Sequence, residues 1–507
     1  MRSLVLDPPA AIAEEATLSA LLRCCVREVA GPRGHVWPAS PYLLLTVADT
    51  LIRARTGGGA ALRFEGQVER LEFGTWVPLT ADELVRLAEA ELDGHNPEFA
   101  GQVAASRQAL AAILRARASA TPPNDPWLAS EQALVLGHPF HPSPKARDGE
   151  QWLRYAPEAH ASFPVRLLGV RQDVLAQEGD ASALDLAGVA PQGYALLPAH
   201  PWQLDLLRPH LDDRLIDLGE GPVVWPTSSV RTVYDPSSGS CLKFSLDVRI
   251  TNCVRKNAWY ELAGAVALTE RLAPVFEAVS ARFPGTRWLP EPGYRSAALD
   301  TRLLEGLGVI VRASPWSVCS PGLTPVLAGA LACAATPADP VSWWAAYVRA
   351  VALPVLDAYL THGVVLEPHL QNVLICLDSA GRPVEAIFRD LEGTKLVGHD
   401  LSELHPRVAE ALTYDASRGW ARVVYCLMVN HLTEIAATLA LSEAALRELW
   451  TVAREILEEY GAATGWPLPL SDLLAGAPLP AKANLSVRWA RGADRSAGYV
   501  PIANPFA

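Results

Sequence analysis

Residues 225–257 read WPTSSVRTVYDPSSGSCLKFSLDVRITNCVRKN, and the predicted fold is built outward from them. The Asp-Pro-Ser-Ser-Gly sequence at 235–239 supplies the residues that a tight reversal needs. Beyond this turn, apolar side chains alternate with polar ones, as is typical of a half-buried strand. The apolar face is Leu242, Phe244, Leu246, Val248 and Ile250, and the polar face is Lys243, Ser245, Asp247, Arg249 and Thr251. The segment therefore predicts strand, turn and strand, followed by the start of a helix.

The polar face of this hairpin and its exit carry four cations, Arg231, Lys243, Arg249 and Arg255. Along one strand, Lys243 and Arg249 would lie roughly 20 Å apart at about 3.3 Å per residue. That separation is too long for one phosphate but suits a nucleotide triphosphate, or two anions side by side. Arginine forks match carboxylate and phosphate oxygens, whereas lysine acts as a point charge. The alternative is an ordinary solvated, charged sheet face.

Length and composition limit the number of domains, the partners and the compartment that this chain can have. The chain has 507 residues, enough for two to four domain-sized units, and 50% of them are hydrophobic. A formal net charge of −12 argues against a nucleic-acid partner. The eight cysteines form no C-x-x-C pair, which favours reduced thiols in a cytoplasmic protein. Neither a secretory signal nor an uninterrupted apolar span is recognisable, so we expect no membrane partner.

The chain divides into three predicted regions: residues 1–125, mostly helical; 126–340; and 341–507. A proline-rich break at 121–126 marks the first boundary. Helical periodicity predicts helices over 11–30, 81–93, 98–118, 127–136, 257–283 and 341–361, and a helical stretch over 400–462. Strands are predicted over 60–79, 163–170, 194–198, 306–312, 373–377 and 384–388. The fold class is therefore α+β.

A second polar cluster is GHPFHPSPKARDG at 137–149, with His138, His141, Lys145 and Arg147 in one loop. Its three prolines lower the entropy cost of holding the loop in one shape. Two histidines and two cations favour a carboxylate-rich or phosphorylated ligand. A zinc site is weakly supported, because H-x-x-H supplies only two ligands. The alternative is that the histidines simply cap loops.

A third cluster lies in HGVVLEPHLQNVLICLDSAGRPVEAIFRDLEG, residues 362–393. His369 and Asn372 precede a buried strand, and Asp390 and Glu392 follow the next strand. Carboxylates at a strand end beside a phosphate site commonly hold Mg²⁺, which prefers oxygen ligands. The alternative is a hairpin with polar ends.

Taken together, the clusters resemble the IucA/IucC family of siderophore synthetases, which work without a nonribosomal peptide synthetase. The resemblance rests on GHPFHPSPKARDG, PAHPWQ, SSVRT, KFSLDVRITNCVRKN, EPHLQNVLI and RDLEG, which follow in family order over roughly 130–395. It implies a cupped-hand shape of thumb, fingers and palm around a central antiparallel sheet, usually as a homodimer. It also implies adenylation of a carboxylate, commonly citrate or a citrate-derived acid, with ATP and Mg²⁺, followed by attack of an amine or alcohol.

The resemblance assigns roles to residues. ATP is expected to bind Ser228, Ser229, Arg231, Thr232, Lys243, His369, Asn372, Asp390 and Glu392, with Asp390 and Glu392 holding the metal. The substrate carboxylate is expected at His138, Lys145, Arg147, Thr251 and Arg255. Arg231, Lys243 and Arg255 are the candidate catalytic residues, because cations must offset the repulsion between carboxylate and α-phosphate.

Two other functions remain open from the residues. A small-molecule kinase would use His369, Asn372 and Asp390 similarly, but the chain lacks an H-x-D catalytic loop before Asn372. The product separates the two enzymes, because a kinase releases ADP and a synthetase releases AMP and pyrophosphate. A ferric reductase with an iron–sulfur cluster would need grouped cysteine ligands, and no cysteine follows Cys426.

Overall fold

The structure is a computed structural model that describes residues 7–147, 151–250, 253–492 and 497–507. The described helices are α1 (Pro8–Cys24), α2 (Ala81–Glu91), α3 (Phe99–Ser119), α4 (Pro126–Glu131), α5 (Pro201–Leu207), α6 (Trp259–Arg282), α7 (Thr301–Gly306), α8 (Ala328–Leu331), α9 (Pro340–Leu360), α10 (Pro406–Leu412), α11 (Ala416–Val424), α12 (Thr433–Leu439), α13 (Glu443–Thr464), α14 (Leu468–Leu474) and α15 (Asn484–Trp489). π-Helical turns extend α1 over Cys25–Ala30 and join α11 to α12 over Tyr425–Leu432.

The described strands mix with these helices throughout the chain, which confirms the α+β class. They are β1 (Val36–Ala39), β2 (Tyr42–Val47), β3 (Thr50–Gly57), β4 (Arg63–Glu72), β5 (Thr75–Pro78), β6 (Phe163–Arg171), β7 (Leu175–Gly179), β8 (Tyr194–Ala199), β9 (Leu215–Pro226), β10 (Thr232–Asp235), β11 (Ser240–Phe244), β12 (Leu246–Ile250), β13 (Cys253–Arg255), β14 (Thr286–Trp288), β15 (Gly293–Ala297), β16 (Val309–Ala313), β17 (Thr324–Leu327), β18 (Val364–Val365), β19 (Val373–Leu377), β20 (Pro383–Phe388), β21 (Lys395–Leu396), β22 (Leu479–Lys482) and β23 (Tyr499–Ile502).

The N-terminal region packs α1, α2 and α3 against a five-stranded antiparallel meander, β1 to β5. Strands β1, β2 and β3 add a sheet that sequence periodicity does not reveal, since it predicts strands only over 60–79. Helix α2 is short, and an N-terminal cap stabilises its first turn. Thr80 and Glu83 form a reciprocal capping box at its first turn.

The middle region is built on an eight-stranded antiparallel sheet in the order β7-β15-β16-β11-β10-β9-β6-β8. The predicted turn at 235–239 is confirmed, because β10 and β11 form a hairpin that pairs Asp235 with Ser240 and Thr232 with Lys243. Most of its apolar face is buried, including Leu242, Phe244 and Leu246. This sheet fixes the orientation of the side chains that line the cleft described below.

The prediction of one continuous strand from 240 to 251 is wrong. The chain breaks at Ser245, and β12 pairs with β13 in a separate hairpin. The hydroxyl of Ser245 donates to the carbonyl of Glu305 at 2.5 Å and accepts from the amide of Asn257 at 2.9 Å. These bonds turn the backbone out of the large sheet, so the argument from a 20 Å spacing along one strand does not hold. A solvated sheet face is also excluded, since Lys243 is only 2% exposed.

Residues 341–507, which we call the palm region, pack α9 and α13 around the largest apolar core. Beside them lies a four-stranded sheet in the order β14-β20-β19-β17, whose β19–β20 hairpin matches the predicted strands. The predicted helical stretch over 400–462 is divided into four α-helices and a π-helical turn. New helices begin where Asp415 and Ser442 cap exposed backbone amides. Among the described helices, none is both long and apolar enough to cross a membrane.

Candidate active site

A cleft of about 1350 Å³ opens between the N-terminal helices, the eight-stranded sheet and the palm region. Its described lining is strongly basic, although the whole chain has a net charge of −12. The lining lysines and arginines are Arg23, Arg63, Lys145, Arg147, Arg231, Lys243, Lys256, Arg312, Arg389, Lys395, Arg418, Arg422 and Lys482, and the lining carboxylates are Glu15, Glu158, Glu261, Glu367, Asp390, Glu392 and Glu434. A cavity of this size and charge suits polyanionic small molecules.

Lys243 forms the centre of the cleft floor. It projects from β11, and its ammonium lies 2.8 Å from Asp390 and 2.9 Å from Glu392. Burial alone would lower the pKa of Lys243, but the three neighbouring carboxylates, led by Asp390, raise it above its ordinary value. The lysine is therefore a permanent cation at neutral pH. Sequence analysis placed this lysine and these two carboxylates in one site, and the structure brings them into direct contact.

Arg231 lies beside this centre, in the turn before β10. One guanidinium nitrogen donates to Oδ1 of Asn257 at 2.5 Å and another to Oε2 of Glu392 at 2.6 Å. Burial would raise the pKa of Glu392, but Lys243 and Arg231 lower it well below its ordinary value. Arg231 thus links the eight-stranded sheet to the palm region, and it lines the cleft.

Arg312 and Glu291 complete the centre, and sequence analysis missed both. Arg312, on β16, donates to Oε1 of Glu291 at 2.5 Å and to Oδ1 of Asp390 at 2.9 Å. Glu291 is fully buried, and its carboxylate lies 4.0 Å from the ammonium of Lys243. Burial opposes ionisation of Asp390, but Lys243 and Arg312 hold its pKa well below the ordinary range. The one available signal was a charged residue inside the apolar strand VIVRA.

Asp390 has an unusual backbone, with φ of +76°. Asp is one of the few non-glycine residues that tolerate this left-handed conformation, which clusters at functional sites. The turn lies directly after β20 and aims the carboxylate at Lys243 and Arg312. Since β19 pairs with β20 through Val373 and Phe388, the same sheet end also carries Asn372. The polar residues that precede β19 and those that follow β20 therefore converge at one end of the sheet.

A second ion pair missed from the sequence positions the Ser228–Ser229 turn. Arg389 forks onto the fully buried carboxylate of Glu131, at 2.6 and 2.9 Å. Glu131 also accepts from the amide of Ser228 at 3.0 Å, and Arg389 donates to the Ser228 hydroxyl at 3.0 Å. Arg389 immediately precedes Asp390. The Arg389–Glu131 ion pair therefore holds both the Ser228–Ser229 turn and the carboxylate of Asp390 in position. Ser228 is therefore held by protein groups while still lining the cleft.

The other predicted nucleotide residues, Ser229, Thr232, His369 and Asn372, all line the same cleft. His369 accepts from the amide of Gln371 through Nδ1 at 3.3 Å. Burial lowers its pKa, so it acts as a neutral hydrogen-bonding group at pH 7. The buried Nδ2 donor of Asn372 has no hydrogen-bond partner among the described residues. An unsatisfied buried donor beside a cleft suits a ligand acceptor.

The proline loop of the second cluster holds His138, Lys145 and Arg147, which all line the same cleft. Lys145 is not a free cation, because it pairs with the buried carboxylate of Glu158 and donates to the carbonyl of Leu134 at 2.6 Å. Arg147 lies 3.6 Å from the same carboxylate. Sequence analysis missed Glu158, which neutralises part of the predicted receptor.

His138, the first histidine of the predicted receptor, adds no charge to it at neutral pH. Burial, followed by the fields of His141 and His369, lowers the pKa of His138 to about 3. The imidazole is therefore neutral at pH 7, and its Nδ1 accepts from the amide of Phe140 at 3.0 Å. It still lines the cleft, so its remaining role is that of a hydrogen-bond donor. Thr251 lies outside the described residues, and for Arg255 only the backbone of β13 is described.

The carboxylates predicted to hold Mg²⁺ fit that ion chemically. The hydrogen bonds they receive from described residues fall on Oδ1 of Asp390 and Oε2 of Glu392. Each carboxylate thus keeps a second oxygen that accepts no hydrogen bond from a described side chain, and carboxylate oxygens are preferred Mg²⁺ ligands.

The described residues show no iron–sulfur ligand set in the cleft. The one group of three metal-capable side chains in the described part of the chain is Cys319, Cys376 and Glu385. None of the three lines the cleft, and Glu385 is already bound by Arg287 at 2.7 Å. Cys333 and Cys426 line the cleft, two cysteines where an iron–sulfur cluster needs more ligands, and burial raises the pKa of Cys426 to about 12.

The palm side of the cleft forms a separate polar wall, made of Glu367, Lys395, Arg418 and Arg422, which we call the palm wall. Arg418 and Arg422 lie one turn apart on α11, so they share a face. Arg422 donates two hydrogen bonds to Oε1 of Glu367, one of them at 2.7 Å. Lys395, on β21, donates to the carbonyl of Glu392 at 2.6 Å. The wall therefore adjoins the Lys243 centre directly.

Comparison with known proteins gives two family matches. The model of the IucA / IucC family matches residues 126–333, and that of the ferric iron reductase FhuF-like transporter family matches 341–497. The L-2,3-diaminopropanoate–citrate ligase of Staphylococcus aureus is 32% identical over 438 residues, covering 75% of each chain. The rhizobactin siderophore biosynthesis protein RhbC of Rhizobium meliloti is 29% identical over 452 residues, also covering 75% of each chain.

Two further similarities concern a more distant relative and the fold. The spermidine-citrate ligase of Bacillus anthracis is 26% identical over 450 residues, covering 75% of this chain and 73% of that protein. The structure of ATP-bound aerobactin synthetase IucA from Klebsiella pneumoniae superposes with a TM-score of 0.82 at 22% identity, covering 97% of this chain and 99% of that one. The α+β architecture is thus that of a solved synthetase.

Proposed function

This chain belongs to the IucA/IucC family, and on that premise we propose that it is an ATP-dependent ligase that adenylates citrate or a citrate-derived acid and joins it to an amine. Relatives named as citrate ligases support the acid and the amide product. An ATP-bound structure of a protein with the same fold supports the nucleotide. We place the reaction in the cytoplasm, where ATP is available, and we retain the homodimer as a prediction for sedimentation analysis.

One observation carries the proposal: Arg231, Lys243 and Arg312 converge on one point of the cleft floor. In the first step, a carboxylate oxygen attacks the α-phosphorus of ATP. The new O–P bond forms as the bond to the β-phosphate oxygen breaks, and pyrophosphate leaves. Two anions must meet, and preorganised cations in a water-poor site offset their repulsion. The pairing with Asp390 and Glu392 holds these cations in place before ATP arrives.

In the second step, the amine nitrogen attacks the acyl carbon of the acyl-adenylate. The C–N bond forms, the C–O bond to AMP breaks, and the nitrogen loses one proton to water. No covalent enzyme intermediate is required, so the chain's contribution is to orient the reactants and exclude water. Holding both in one pocket replaces a bimolecular encounter and supplies a large part of the acceleration.

Asp390 and Glu392, which both line the cleft, would hold Mg²⁺ through their second oxygens. The ion would neutralise phosphate charge and orient the leaving pyrophosphate. Asn372 would donate its unsatisfied Nδ2 hydrogen to the nucleotide, and neutral His369 would act as a further hydrogen-bonding group. His138 and Arg147, in the proline loop, would face the acid.

The decisive experiment is nucleotide product analysis. Purified protein is incubated with ATP, Mg²⁺ and citrate, with hydroxylamine as a surrogate amine, and products are separated by ion exchange. We expect AMP and pyrophosphate in equal amounts, together with a citryl hydroxamate, and neither product without citrate. Release of ADP and phosphate instead would overturn the proposal in favour of a phosphotransferase.

A further inference from the structure

The palm wall has a charge pattern that the adenylation step does not use. Glu367 and Arg422 neutralise each other through Oε1, as described above. Lys395 and Arg418, in contrast, have no carboxylate within 4.0 Å among the described residues. The wall therefore carries an excess of two positive charges.

The geometry brings these charges together around one space. Lys395 pairs with Val365 across β18 and β21, two residues before Glu367. The amide of Tyr414 donates to the carbonyl of Leu396 at 3.0 Å, and the guanidinium of Arg418 stacks on the Tyr414 ring at 4.0 Å. This stacking fixes an exposed arginine at the rim of the cleft without consuming its hydrogen-bond donors.

Glu367 keeps one oxygen for a ligand. Its Oε2 lies 2.5 Å from the point where a β-carbon on Gly393 would stand, so the carboxylate packs closely against the backbone at Gly393. Gly393 directly follows Glu392, whose carboxylate binds Arg231 and Lys243. The free oxygen of Glu367 is thus adjacent to the place where the acyl-adenylate would form. An ammonium group held there would lie close to the acyl carbon.

We propose that the palm wall is the binding site of the amine substrate and that this substrate is an amino acid, with its ammonium at Glu367 and its carboxylate at Lys395 and Arg418. The inference rests on the proposed ligase function and specifies its second substrate. A polyamine carries only positive charge, and it would meet two unneutralised cations here. Such like-charge contacts are a usual source of discrimination against the wrong partner. A zwitterion, in contrast, satisfies both signs of charge.

The test compares two amines that differ only by the carboxylate. L-2,3-Diaminopropanoate and 1,2-diaminoethane have the same carbon–nitrogen skeleton, and spermidine serves as the polyamine. Amine-dependent release of AMP is measured with the full chain at saturating ATP, Mg²⁺ and citrate. We expect kcat/KM for the amino acid to exceed that for either other amine by about tenfold or more, the effect of one charge-assisted contact.

The variant Arg418→Gln should reduce this preference by about tenfold, mainly through a higher KM for the amino acid. The matched control is Arg349→Gln, because Arg349 pairs with Glu459 away from the cleft. It should keep the full preference. Equal use of diaminoethane or spermidine by the wild-type enzyme, or an unchanged preference in Arg418→Gln, would overturn the inference.

Failure of the inference is distinguishable from failure of the proposed function. Citrate-dependent exchange of labelled pyrophosphate into ATP requires no amine, so it tests adenylation alone. An enzyme that exchanges pyrophosphate but prefers the diamine refutes only the amino-acid site. An enzyme without citrate-dependent exchange, yet with ADP among its products, refutes the ligase itself.

Discussion

The ammonium of Lys243 lies 2.8 Å from Oδ1 of Asp390, across 147 residues of sequence. One residue belongs to the eight-stranded sheet and the other follows the β19–β20 hairpin. Their contact therefore exists only when the two sheets are docked. Because both groups also line the cleft, assembly of the site and docking of the palm region are the same event.

Replacing Asp390 with Asn tests the metal assignment. The amide oxygen of Asn keeps an acceptor for Lys243, but the charge that favours Mg²⁺ is lost. We expect the Mg²⁺ concentration for half-maximal pyrophosphate release to rise about tenfold. The control is Asp378→Asn, at the far end of the same hairpin, where Asp378 binds only turn groups and Arg382. An unchanged Mg²⁺ requirement in Asp390→Asn would remove Asp390 from the metal shell.

Replacing Arg231 with Lys tests the arginine fork while keeping the charge. Arg231 donates to Asn257 and Glu392 at the same time, and a lysine cannot match this planar geometry. We expect kcat/KM for ATP to fall roughly 100-fold, with unchanged far-UV circular dichroism. Arg171→Lys provides the control, because Arg171 makes an equally forked but exposed pair with Asp173. Wild-type turnover of Arg231→Lys would show that the fork plays no part in adenylation.

The pairing of Lys145 with Glu158 makes a simple alanine variant uninformative. Removing Lys145 leaves the buried carboxylate of Glu158 with only Arg147 at 3.6 Å, and breaking a buried ion pair typically costs about 3–5 kcal/mol. We therefore expect Lys145→Met to lower the midpoint of urea unfolding strongly, and the double variant Lys145→Met/Glu158→Gln to recover most of the loss. The double variant then reports on substrate binding: its KM for citrate should rise more than its KM for ATP. The reverse ranking would assign the proline loop to the nucleotide.

Sequence alone predicted side chains that line the cleft, because these residues sit in short motifs beside turns and strand ends. Asn372, Asp390 and Lys243 belong to this class. It did not predict the carboxylates that hold the cations in place. Glu131 pairs with Arg389 over 258 residues, and Glu291 with Arg312 over 21, so no local pattern marks them. The prediction of a continuous strand through Ser245 was wrong for a similar reason. The hydroxyl of Ser245 bonds to Glu305 and Asn257, which lie elsewhere in the chain.

Buried histidines predict a loss of stability in mild acid. His200 packs among Tyr155, Phe163 and Phe244, its Nδ1 accepts from the amide of Trp202, and burial lowers its pKa to about 3. In the unfolded chain its pKa is about 6.5. Between these two pKa values, His200 binds a proton in the unfolded state but not in the folded state. The free energy of unfolding therefore falls as the pH drops below about 6.5.

From pH 7 to pH 5, this one histidine should lower the free energy of unfolding by about 2 kcal/mol. The variant His200→Asn keeps an acceptor for Trp202 but cannot take up the proton. It should be less stable at pH 7, because ring packing is lost, yet its stability should depend less on pH by about 2 kcal/mol. Urea unfolding at both pH values measures the difference, with His210→Asn at an exposed position as the control. The same pH dependence in wild type and His200→Asn would mean that His200 is protonated in the folded protein, and its buried aromatic contacts would then have to accommodate a charge.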